Sequence, residues 1–92
     1  MSDDRYARAE DVLWRRAAGG IMLLPLADPE IFELRGSGVY LWEALAEPTT
    51  LTEISRRLAE RFDTTVEVVA SDVENTLVEL LRRGVVTKAQ KT

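Results

Sequence analysis

The apolar residues of the chain change period once, within residues 28–47. Before that stretch they come in short runs of strand length, and after it they recur at three- and four-residue steps. The first run, residues 12–16, places Val12 and Trp14 on one face and Leu13 and Arg15 on the other. Ala17-Ala18-Gly19-Gly20 supplies a turn, because glycine takes positive φ at no steric cost. Residues 21–26 are apolar throughout, with Pro25 near the end, where its missing N–H breaks least of a ladder. Asp28-Pro29 has the order of a type I turn and leads into a third strand, residues 30–34. Three strands joined by short turns predict an antiparallel meander.

Gly36-Ser37-Gly38 breaks the strand pattern, and Leu41, Trp42 and Leu45 then lie on one stripe of a helix over residues 39–46. Ser37 is the expected cap of that helix, and Pro48 stops it. Thr50 stands three residues before Glu53, the capping-box spacing of a second helix. Ile54, Leu58 and Phe62 share its buried face, with Glu53 and Arg57 placed to pair on the solvent side. Thr64-Thr65-Val66-Glu67 repeats the cap ahead of a third helix, which runs to about Arg83 and ends with Gly84 in the C′ position. At 100° per residue this helix buries Val66, Ala70, Val73, Leu77 and Leu80, with Val69, Asp72 and Thr76 on one flank and Val68 outside the stripe. Val85-Val86 fits a short final strand. The polar ends, residues 1–9 and 88–92, read as loosely held tails, which leaves one domain over residues 10–87.

The second strand has more apolar surface than one buried face requires. Ile21 and Leu23 point one way, Met22, Leu24 and Leu26 the other. The second face needs a cover: helices or the curled Trp14 strand of the same chain, or else a partner or a second copy in a homodimer.

Composition narrows the chemistry. The chain has 92 residues, 46% hydrophobic and 30% charged, which suits one soluble core and not two domains. No run of 18 apolar residues is present, and the first residues lack the basic and apolar regions of a signal peptide, so no membrane partner is expected and the cytoplasm is the default. The chain contains neither Cys nor His, so disulfides, thiolate metal sites and the commonest general base are missing. Gly19-Gly20 lacks the Gly-Lys-Ser/Thr of a phosphate loop. An enzyme is not expected, nor is a cofactor or a metal.

The inventory is α+β: a three-stranded antiparallel sheet followed by three helices, as in a winged helix-turn-helix. A small winged-helix protein that binds DNA or dimerises as a regulator is therefore the rival reading. Charge argues against DNA. The net charge is −4, and the third helix carries Glu67, Asp72, Glu74 and Glu79 against only Arg82 and Arg83, whereas a groove-reading helix needs cations along its length. Arg56, Arg57 and Arg61 on the second helix are matched by Glu53, Glu60 and Asp63.

Leu34 and the glycine break, Gly38-Val39-Tyr40-Leu41-Trp42-Glu43-Ala44-Leu45, Leu51-Thr52-Glu53-Ile54 with Leu58, then Asp72-Val73, Leu77, Leu80 and Gly84-Val85-Val86, together resemble the PqqD family. These are the small proteins and domains called RiPP recognition elements, and the likeness covers roughly residues 10–87. The resemblance implies a peptide-binding adaptor with no catalytic residue. In that family the leader segment of a ribosomally made precursor peptide binds as an extra strand on the sheet edge, in a groove closed by the third helix. The leader thereby reaches a separate maturation enzyme, such as a radical SAM enzyme, a cyclase or a leader peptidase. Carried onto this chain, the resemblance makes Glu30, Ile31, Phe32, Glu33 and Leu34 the edge strand and Val69, Asp72, Val73 and Thr76 the opposite wall. Asp72 would hold a basic or hydroxyl group of the leader, or else cap or pair with Arg35 inside the domain. Arg35-Gly36-Ser37-Gly38 departs from the family, many members of which have an Asn or similar polar residue there and no second glycine.

Overall fold

The computed structural model describes residues 4–26 and 30–89, so the expected Asp28-Pro29 turn lies outside the described residues. The elements run β1 (Arg5–Arg8), β2 (Val12–Ala17), β3 (Gly20–Pro25), β4 (Phe32–Leu34), α1 (Ser37–Ala44), β5 (Thr49–Thr50), α2 (Leu51–Arg61), α3 (Val66–Arg82) and β6 (Val86–Ala89). The fold is α+β, but with two small sheets where one was expected, which makes the winged-helix likeness loose.

β2, β3 and β4 form the expected meander in that order. Ala17 pairs with Gly20, leaving Ala18 and Gly19 as a two-residue loop at φ 51° and 81°. Positive φ at both positions is the type I′ turn, whose twist suits the flanking strands. Pro25 lies opposite Val12 at the end of the ladder. β4 is shorter than expected, with Glu30 and Ile31 preceding it.

The register sorts the faces. Ile21 pairs with Leu34 and Leu23 with Phe32, so these four side chains face the helices. Ile21 and Leu23 join Leu41, Trp42, Leu45, Ile54, Leu58, Val73, Leu77, Leu80 and Val85 in one core. Trp14 also turns inward, edge-on to Trp42 with centroids 5.9 Å apart. The other face is not covered by helices of the same chain, against the first of the two alternatives. Leu13 and Ile31 remain 58% and 57% exposed there, because α1, α2 and α3 all pack on the Ile21 side.

The second sheet, β5-β1-β6, takes Arg5–Arg8 of the expected N-terminal tail into a strand. Arg5, Tyr6, Ala7 and Arg8 pair with Ala89, Lys88, Thr87 and Val86, which also brings Lys88 into a strand. Arg8 anchors this sheet to the core. Its guanidinium donates to the Trp42 carbonyl at 2.7 and 3.1 Å and lies 4.6 Å from the Trp14 ring and 4.8 Å from that of Trp42. That carbonyl is in the last turn of α1, where it also accepts from the Leu45 amide at 3.1 Å and where a cation is favoured. Burial, then the neighbouring Arg16, lower the Arg8 pKa, yet a guanidinium stays charged.

The helix caps follow the sequence except at α1. There Gly36 occupies the cap at φ 56°, and Ser37 is already helical with no side-chain cap. Thr50 accepts from the Glu53 amide at 3.1 Å, and Thr65 from that of Val68 at 3.3 Å. α3 ends as expected: Gly84, at φ 77°, donates to the Leu81 carbonyl and Val85 to that of Leu80, the paired bonds of a Schellman motif. Of the residues expected in the buried stripes, Phe62 and Val66 are exposed, at 45% and 36%, and Ala70 is half-buried. Phe62 instead meets the Tyr40 ring edge-on at 5.3 Å.

Glu53 takes hydrogen bonds from both Arg56 and Arg57, which hold its carboxyl down at about 2. Its folded pKa lies below its ordinary value of 4.5, so any stability it contributes is present above that value and is lost as pH falls toward about 2. Urea midpoints of wild type and Glu53→Gln are expected to differ most near neutrality and to converge across that acid window; a gap that widens on acidification would refute the assignment.

Candidate functional site

β4 is hydrogen-bonded to β3 on one side, and among the described residues no other strand pairs with it. An edge strand of this kind presents backbone donors and acceptors to whatever lies beside it. What lies beside it is α3. Phe32, Glu33 and Leu34 face Asn75, Thr76, Glu79, Leu80 and Arg83 across a shallow trough. Thr76 also lines a deeper cavity of about 260 Å³, where Val68, Val69, Asp72 and Val73 of α3 meet Ser37, Gly38 and Leu41 of α1 and Leu58 and Phe62 of α2. The two are joined at Thr76, so one groove follows α3 from Arg83 to Val68.

The groove has an apolar floor and a charged rim. Val73 and Leu41 are buried beneath it, and Val69 is half-buried in its wall. At one end Arg83 lies 4.5 Å over the Phe32 ring, bonds Glu79 at 2.8 Å and reaches Glu30 at 3.6 Å. Toward the other end Asp72 is exposed. Thr65 caps α3 and Arg35 pairs with Glu33 at 3.0 Å, so Asp72 neither caps the helix nor pairs with Arg35.

Of the residues expected at the site, Phe32, Glu33, Leu34, Val69, Asp72, Val73 and Thr76 line the groove, Glu33 with its backbone, since its side chain lies with that of Met22 on the opposite face, beside Gly20. Glu30 stands at its Arg83 end. Ile31 does not enter it; its side chain joins Leu13 and Leu24 on the opposite face of the meander. The sequence reading missed Val68, Phe62 and Arg83. Val68 carried a usable signal, since a valine outside the buried stripe and next to Val69 marks an apolar surface with another purpose. Phe62 and Arg83 carried none, because their places depend on how α2 and α3 cross.

Other surfaces suit this role less well. β2 is the meander's other edge, but it carries Arg15 and Arg16, the latter tied to Glu43 at 2.6 Å, and cations of this kind blunt an edge. A hollow lined by Arg5, Glu47, Pro48, Glu53 and Arg57 is walled mainly by polar groups. On α2, Arg56 is held by Glu53 and Glu60, Arg57 by Glu53, and Arg61 donates to the Tyr40 hydroxyl at 2.7 Å, so this cluster is internally engaged. Among the described residues no group of acids converges as a metal site requires, and no helix is long and apolar enough to cross a membrane.

Comparison with known proteins bears on the fold and the family. The structure solved as TbiB1 in complex with the TbiA(beta) leader peptide superposes with a TM-score of 0.79 at 20% identity, over 87% of this chain and 93% of that one, a likeness of fold. No curated protein matches the chain. The family model described as coenzyme PQQ synthesis protein D matches residues 20–86, which span the meander, all three helices and the start of β6. On that match the chain belongs to the PqqD family.

Proposed function

We propose that the chain is a non-catalytic adaptor that binds the leader segment of a ribosomally synthesised precursor peptide as an added strand on β4 and presents it to a tailoring enzyme in natural-product biosynthesis. The observation that carries this reading is an edge strand that, among the described residues, is bonded on one side only, with a helical wall and an apolar cavity alongside it. Its solved structural neighbour was determined with a leader peptide bound, which supports the same use of the fold. In strand addition the main chain supplies affinity and pockets for alternate side chains supply preference. Here the backbone of residues 30–34 provides the former. Val69, Val73 and Thr76 form the pocket wall, and Asp72 and Glu30 at the groove, with Glu33 on the other face of the same strand, favour a leader with basic character. The groove requires no titrating catalyst, so the partners are the precursor and a maturation enzyme such as a radical SAM enzyme, a cyclase or a leader peptidase.

The test is a titration with the synthetic leader of the precursor encoded beside this chain, followed through backbone amide shifts. Residues 30–34 and α3 are expected to shift together, at an affinity that changes little with salt. Shifts confined to Arg56, Arg57 and Arg61, or binding to duplex DNA that falls steeply with salt, would sink the proposal in favour of the winged-helix alternative.

A further inference from the structure

The face of the meander turned away from the helices is apolar and exposed, and it lies outside the groove. Two rows cross it. Leu13 pairs with Leu24, and Ile31 meets them in one shallow hollow. In the next row Arg15 pairs with Met22 and Met22 with Glu33, giving a cation at the β2 edge, an apolar centre and an anion at the β4 edge. Leu13 and Ile31 are more than half exposed, at 58% and 57%.

We propose that this face docks on the same face of a second copy of the chain, about a two-fold axis lying between the two sheets, parallel to the strands and passing over Met22. The charge pattern selects both the occupant and the axis. A two-fold parallel to the strands carries each Arg15 over the other copy's Glu33 and each Leu13 over its Ile31. A two-fold running across the strands would instead set Arg15 against Arg15. Glu33 already pairs with Arg35 at 3.0 Å, but a carboxylate accepts two guanidiniums, as Glu53 does in this chain. The exposed ion pairs orient the faces, and the apolar rows supply most of the attraction.

The surface is small. Three strands spaced about 4.8 Å apart, with six residues rising about 3.4 Å each, cover roughly 14 by 20 Å. That is below the roughly 1,000 Å² of a stable interface, so the dimer is weak and depends on concentration. Because α3 packs on the opposite face, each copy in the dimer keeps its own groove beside β4.

Sedimentation velocity on the full chain, from low micromolar to millimolar concentration and without peptide, tests this independently of leader binding. Wild type is expected to pass from monomer to dimer. Leu13→Asp, at an exposed site, should raise the midpoint at least about tenfold, a loss of about 1.4 kcal/mol. Arg15→Glu should weaken association and Arg15→Glu with Glu33→Arg should restore it. Since the chain has no cysteine, introduced thiols report the axis cleanly. A mixture of Arg15→Cys and Glu33→Cys chains should cross-link to each other on mild oxidation. A wild type that stays monomeric throughout, a Leu13→Asp dimer of unchanged strength, or preferential cross-linking of Arg15→Cys to itself would overturn the proposal.

Discussion

Thr76→Trp is expected to weaken leader binding roughly a hundredfold, about 2.7 kcal/mol, while the domain stays folded. Among the described residues Thr76 is the one shared by the trough beside β4 and the deeper cavity, so an indole there obstructs the groove through which the proposed guest strand would pass. The residue is only half-buried, and its substitution leaves Val73, Leu77 and Leu80 beneath it in place. Stability should therefore change by no more than about 1 kcal/mol. Calorimetric titration with the leader and thermal melts on the same samples separate the two effects, and Thr76→Ser serves as the conservative control. Undiminished affinity in Thr76→Trp would mean that the peptide does not lie between β4 and α3.

The second large effect is on stability. Trp42→Ala is expected to cost about 3–5 kcal/mol, against a total of about 5–15 for a domain of ordinary stability. Trp42 is wholly buried at the centre of the core. It contacts Trp14 edge-on, stacks under Arg8, and accepts the Arg8 guanidinium on its carbonyl. Truncation therefore opens a cavity and loosens the anchor of β1 together. The melting temperature should fall by at least about 15 °C. Trp42→Phe should cost much less, because it retains most of the packing and removes an indole N–H that has no acceptor among the described residues. Equal losses in the two variants would place the stabilisation elsewhere than in the filled volume.

The groove was partly legible before any coordinates. Val69, Asp72 and Thr76 share a flank on a helical wheel, and residues 30–34 read as strand, so both walls could be named from periodicity and the family likeness. That they face one another is a matter of how α3 packs against the meander. The same packing turns Ile31 away from the groove and sets Arg83 over Phe32.

What the sequence determined by itself is whatever depends on near neighbours: the meander, the turn at Ala18-Gly19, the caps at Thr50, Thr65 and Gly84, and most of the stripe that α3 buries. Each follows from steric and hydrogen-bonding preferences acting over a few residues. Tertiary structure alone decided that Arg5–Arg8 is a strand, because its partners lie at Val86–Ala89, at the far end of the chain. No periodicity in four polar-flanked residues encodes that pairing. Tertiary structure also decided which face of β3 stays bare: both faces are apolar in sequence, and only the placement of three helices on one side leaves Leu13 and Ile31 in contact with water.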